Sequence, residues 1–245
     1  MLSDDLRCIY YITLKDLRAY YFKPPNVSWG MLFPFAFLLA FTLRNPGNPE
    51  TLVPGLLGLT LLFSTTSMEA IVITFERRIG ALERLLLAPM RLPALLAGKL
   101  LGGVVFGLIM TWVTLGIAVL IFGAVSGQVR WPLLIVTILL SATAFSALGV
   151  LVSVAVKEVF EAQTLANAFR FPMMFLGGVF VPVASLPASL KVVARLLPLT
   201  YGVEALQVAL SGDAVWRAGV DLAALAGFTA VFFSLATWIL RRRLS

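Results

Sequence analysis

Apolar positions fall into long uninterrupted runs separated by short charged or proline-rich joints, the spacing expected of helices that cross a bilayer. The runs cover residues 27–43, 52–74, 92–122, 131–156, 162–181 and 220–240, which predicts an all-α integral membrane fold with six transmembrane helices. They are continuous and rich in Leu, Ala and Gly, whereas a β-barrel needs short alternating strands.

Three segments break this pattern. Residues 3–22 place Leu6, Ile9, Tyr10, Leu14, Leu17, Tyr20 and Tyr21 on one helical face and Asp4, Arg7, Lys15 and Arg18 on the other. Ser3 reads as the N-cap, and Asp4 and Asp5 suit the positive end of the helix dipole. The segment 1–26 therefore predicts an interfacial helix rather than a signal peptide, which would show a basic tip and an unbroken apolar stretch. Residues 75–89, FERRIGALERLLLAP, gather Ile79, Leu82, Leu85 and Leu86 on one side and Glu76, Arg77, Gly80, Glu83 and Arg84 on the other, and Pro89 ends the helix. So charged a helix lies on the membrane surface, where a cytoplasmic partner can read it. Around residues 183–212 the punctuation of Gly177, Gly178, Pro182, Pro187 and Pro198 predicts two short helices dipping into the outer leaflet, the first carrying Lys191 and Arg195.

Composition sharpens this reading. With 60% hydrophobic and 13% charged residues and a mean hydropathy of +0.97, the 245 residues form one membrane domain. The net charge of +7 is topological rather than a sign of nucleic acid. With both termini cytoplasmic, Arg7, Lys15, Arg18, Lys23, Arg77, Arg78, Arg84, Arg91, Lys99, Lys157 and Arg241, Arg242 and Arg243 fall inside. Only Arg44, Arg130, Lys191, Arg195 and Arg217 fall outside. Trp29, Trp131, Trp216 and Trp238 sit near span ends, where an aromatic belt places them.

Candidate chemistry is sparse. Histidine is absent and Cys8 is the one cysteine, so disulfides, Cys/His metal sites and histidine acid–base catalysis are excluded. Gly98-Lys99 is followed by Leu100 and is not a phosphate loop, so neither ATP nor another cofactor is expected in this chain, which reads as no enzyme. Gly98, Gly102, Gly103 and Gly107 form small-xxx-small pairs that suit either intrachain packing or a subunit seam. Glu69 and Arg170 lie at membrane depth, with Asn167 one turn from Arg170. A lone charge at the bilayer centre costs about 3 kcal/mol, so this trio predicts a buried ion pair or a wet pathway. The pathway version is the alternative to everything below: an ion channel or secondary carrier that works without ATP.

The order Glu76-Arg77-Arg78, Gly80-Ala81-Leu82-Glu83, Leu85-Leu86, Ala88-Pro89 and Gly98-Lys99 resembles the coupling-helix signature of the permeases of type-two ABC exporters. Ala81 and Ala88 stand where that family commonly has Thr. A second likeness joins Phe175 to Pro182, Leu186-Pro187, and Pro198-Leu199-Thr200-Tyr201 with Glu204-Ala205-Leu206 to the family's re-entrant outer region, with Leu-Gly-Gly in place of Leu-Ser-Gly. The resemblance covers essentially the whole chain. It implies a membrane subunit of an ATP-driven exporter in the cell membrane, paired with a second copy or paralogue of itself. Separate ATPase subunits, which bind ATP and Mg, would dock on residues 75–89. The implied cargo is lipophilic or amphipathic: a drug, a lipid or a lipid-linked glycan.

Overall fold

The computed structural model describes residues 2–24, 52–88, 90–122, 129–212 and 215–244, with isolated positions at 27, 35, 36 and 39. The expected first span, 27–43, lies outside the described residues apart from those positions, as do Trp29 and Pro89. Every regular element among the described residues is helical. Helix α1 spans Leu2–Asp16 and continues as a π-helical turn, Leu17–Tyr21. It is followed by α2 (Val53–Arg78), α3 (Ala81–Leu86), α4 (Leu92–Phe122) and α5 (Trp131–Ala155). Helices α6 (Val159–Leu176), α7 (Ala188–Arg195), α8 (Pro198–Ser211) and α9 (Val215–Leu244) complete the order. Among the described residues, α2, α4, α5 and α9 are long and apolar enough to cross a membrane. Helices α7 and α8 meet at 91°.

Helix α2 is the hub, packed against α4, α5, α6 and α8. Its hydroxyl-bearing residues explain how so polar a span is tolerated in hydrocarbon. Thr60, Ser64, Thr65, Thr66 and Thr74 are buried, and each donates to the carbonyl four residues earlier in its own helix. Between lipid-embedded helices apolar burial supplies little net drive, so close approach by small residues does the work. Gly98, Gly102, Gly103 and Gly107 of α4 are used this way within the chain, whereas Gly116 has no atom within 4 Å of its Cβ position. The α1 residue Ile12 sits against Gly98, and the Tyr21 ring against Gly102. A Cβ on Gly103 would lie 2.6 Å from both Glu69 Oε1 and Ser146 Oγ. A Cβ on Gly107 would collide with Thr65. Of the two readings left open for these glycines, the structure uses them for intrachain packing.

Two expected elements differ in extent. The fifth run, read as helical through residue 181, ends at Leu176. Gly177 closes the helix by donating to Met173 O at 2.7 Å, and Gly178 takes φ +80°, a turn that L residues resist. The expected single helix at 75–89 is instead the last turn of α2, a break at Gly80 with φ +70°, and the short α3.

Candidate functional site

Charge is concentrated where α1, α2 and α4 meet. Lys99, seven residues into α4, is wholly buried and holds the carboxylates of Asp16 (2.8 Å) and Glu76. Lys15 closes the group, bonding Glu76 and lying 3.0 Å from Asp16. Two cations thus face two anions, and only Lys15 reaches solvent. Burial raises the Asp16 carboxyl above the usual carboxylate range, against the opposing pull of Lys99. Burial also acts to lower Lys15, but the charge of Asp16 and the bond and charge of Glu76 outweigh it and hold the ammonium above its ordinary value. Such a cluster contributes little net stability against an apolar isostere, yet removing one member strands a buried charge. It therefore fixes where α1 seats. The sequence reading missed it because Lys99 was taken as part of a glycine motif. An ionisable residue inside an apolar run was the available signal.

One turn deeper lies a second node. Glu69 Oε1 accepts the Tyr21 hydroxyl at 2.5 Å and the Gly103 amide at 2.9 Å. Tyr21 reaches it because of the π-helical turn. Ile12 and Asp16 share the inward face of α1 at helical spacing, and the wider turn carries that face on to Tyr21 at i+5. The expected apolar face of this helix is accordingly divided. Leu6 and Tyr10 are exposed, whereas Tyr21 is fully buried. Burial first, and then the Glu69 charge, push the Tyr21 phenol well above its ordinary pKa.

Glu69 and Arg170 do not form the expected ion pair. Arg170 donates through Nε to Thr66 Oγ1 at 2.6 Å and through Nη1 to Asn167 Oδ1 at 3.0 Å, and lies over the Phe63 ring at 5.5 Å. Thr66, one turn before Glu69, takes the place of the carboxylate. A neutral acceptor suffices because Asn167 and the ring share the charge. Among the described residues, Glu69 Oε2 and Arg170 Nη2 have no hydrogen-bond partner.

Residues 75–88 also depart from the helical wheel. Because α2 runs on to Arg78, Glu76 belongs to the buried cluster and is withdrawn from the outward surface where it was expected. Arg77 donates to Val156 O at 2.8 Å, and Arg243 donates to Val156 O at 3.0 Å and Ala155 O at 2.6 Å. Together they satisfy the open carbonyls at the end of α5. After the Gly80 break, Leu82 is buried and Leu85 and Leu86 pack on the core, while Arg78, Glu83 and Arg84 face outward. Ile79, expected on the apolar side, is 52% exposed, and Leu87 is 87% exposed.

At the far end, Pro182 and Pro187 precede the short turn Val183–Ser185 and α7, and Pro198 starts α8. Arg195 bridges to Glu204 at 2.5 Å, and the Tyr201 hydroxyl donates to Arg195 O at 2.7 Å. These bonds pin the bend between α7 and α8.

The profile of the ABC-2 type transporter family matches residues 7–211, from α1 to the end of α8. The chain belongs to the ABC-2 type transporter family. Its relatives include nodulation protein J of Rhizobium meliloti (strain 1021), 32% identical over 136 residues, which are 53% of this chain and 50% of that protein. Another is the inner membrane transport permease YadH of Escherichia coli (strain K12), 28% identical over 201 residues, 79% of this chain and 75% of YadH. The chain spans about half the length of the nodulation proteins it matches. In this ABC-2 family chain, the match takes in both the buried charge cluster and the α2–α3 break.

Proposed function

We propose that the chain is the permease subunit of an ATP-binding-cassette exporter in the cell membrane, a mover of cargo rather than a catalyst. Two permease chains, identical or related, form the pathway, and separate ATPase subunits supply ATP and Mg chemistry. The family membership and the likeness to the inner membrane transport permease YadH support this reading. The single observation that carries the docking step is the surface of α3. Exposed Glu83 and Arg84 on α3 are flanked by exposed Ile79, just before Gly80, and by exposed Leu87 at its end, two apolar residues around a charged centre on a segment too polar for lipid. A soluble partner would cover the apolar pair and meet the charges.

The topology completes the proposal. Six spans, formed by 27–43 with α2, α4, α5, α6 and α9, return both termini to the cytoplasm, as the basic residues at 241–243 favour. In this arrangement α1 lies in the inner interface, and α7 and α8 form the re-entrant pair in the outer leaflet, on the 183–212 segment. Force on α3 would pass through the Gly80 joint into α2 and, by the Glu76–Lys99 and Glu69–Tyr21 bonds, into α4 and α1. A lipophilic or amphipathic cargo fits a bundle in which Lys15 and Lys99 pair with Asp16 and Glu76. The alternative reading is an ATP-independent ion path through Glu69 and Arg170, each of which keeps one buried side-chain atom without a hydrogen-bond partner among the described residues.

Purification in mild detergent from native membranes, with wild type and Glu83→Lys compared, tests this reading. The expected result is a co-purifying ATPase whose hydrolysis is lost or uncoupled in the variant while the permease remains folded. A chain that comes out alone and conducts ions in liposomes without ATP would overturn it.

A further inference from the structure

The three closing arginines have different surroundings, and one of them faces a cavity. Arg243 is committed to the carbonyls of Ala155 and Val156. Arg242 lies over the Trp238 ring, 4.1 Å from its centroid. Arg241, exposed and without an ion-pair partner among the described residues, lines an open cavity of about 380 Å³ with Pro93, Phe233, Ser234, Thr237 and Trp238. The lining is split by chemistry. Phe233, Trp238 and Pro93 offer an apolar wall, and Ser234 and Arg241 stand beside it as donors, about two turns apart on α9. The cavity is near the small end of ordinary ligand pockets, which hold about 300–1,000 Å³.

We propose that this cavity holds the headgroup of an anionic phospholipid of the inner leaflet, the phosphate on Arg241 and the Ser234 hydroxyl, and an acyl chain along the outer face of α9. The site lies on an exposed face of the chain. Only 11% of the most apolar stretch of α9 is buried, and Val231 and Leu235 continue the exposed apolar surface toward the membrane interior. Basic pockets at the inner ends of spans are suited to such headgroups, and Trp238 stands at the depth where aromatic side chains meet them. The proposal rests on the cytoplasmic placement of the C-terminal end. A lipid so held would brace α9 against the start of α4, at Pro93, a few residues from the α3 docking surface.

The test uses the full chain in nanodiscs of phosphatidylcholine doped with phosphatidylglycerol, with lipid retention read by native mass spectrometry after transfer to detergent. Wild type is expected to retain phosphatidylglycerol over phosphatidylcholine. Arg241→Gln is expected to lower that retention about fivefold, the value of one arginine at an anionic surface, with Arg241→Lys partly restoring it. Lys191→Gln, on the opposite end of the bundle, should leave retention unchanged. A diazirine-tailed phosphatidylglycerol should label the peptide around Leu235. Equal retention of both lipids, equal loss in the Arg241 and Lys191 variants, or labelling elsewhere would overturn the proposal. So would displacement of the lipid by millimolar inorganic phosphate, which would assign the site to a free anion.

Discussion

Helices α2 and α9 are similarly long and both apolar enough to cross a membrane, yet 83% of the most apolar stretch of α2 is buried and only 11% of that of α9. Hydrophobicity alone does not separate them, because lipid is as apolar as a protein core. What separates them is where their polar residues lie. Helix α2 carries Thr60, Ser64, Thr65, Thr66, Glu69 and Glu76, all buried, and brings Ser64, Thr65 and Glu69 against Gly103 and Gly107 of α4. Helix α9 turns Val220, Val231, Leu235 and Trp238 outward. In this bundle, buried polar side chains mark a span packed on all sides, and an exposed apolar face marks one at the edge.

Five substitutions sharpen or break that contrast. Lys99→Met should have the largest effect, about 3–5 kcal/mol of destabilisation, because it strands Asp16 and Glu76 with Lys15 as their one cation. Thermal unfolding followed by size-exclusion chromatography in detergent reads it, and a near-wild-type profile would break the account of α1 docking. Gly103→Ala should cost about 1–3 kcal/mol, since its Cβ has no room beside Glu69 and Ser146. The matched change in α9, Gly227→Ala, meets no atom within 4 Å and should be neutral or gain up to about 1 kcal/mol. Tyr21→Phe leaves Glu69 one donor short and should cost about 1–3 kcal/mol, visible as faster hydrogen exchange in α1. Smallest of all, Val231→Ala on the lipid face should stay within about 0.5 kcal/mol.

The apolar runs at 52–74, 92–122, 131–156 and 220–240 made four long apolar helices legible, and the α4 glycines announced close packing. They did not name what would pack there. Ile12, Tyr21, Glu69 and Thr65 come from two other helices, and no local pattern encodes that meeting. The coupling segment was legible as a charged surface element, but a wheel drawn through 75–89 assumed unbroken helix. Gly80 at φ +70° resets the phase, which is why Glu76 turns inward and Ile79 outward. The charge cluster escaped for a related reason. Lys15, Asp16 and Glu76 each sit near a helix end, where a charge seems solvated until tertiary packing closes over it, and Lys99 lies two turns into α4. Arg170 reads from the sequence as a charge at membrane depth, and its partner on α2 is Thr66 rather than Glu69. A sequence alone does not tell which of two polar residues one turn apart faces a neighbouring helix.

The central claim is that α3, and not the end of α2, presents the surface read by a cytoplasmic ATPase. A photo-reactive amino acid placed at position 83, and separately at 76, in cells expressing the native partner tests it most directly. The account predicts a cross-link to an ATPase subunit from 83 and none from 76, which is buried against Lys15 and Lys99. Cross-linking from 76, or none from 83 while transport persists, would contradict it.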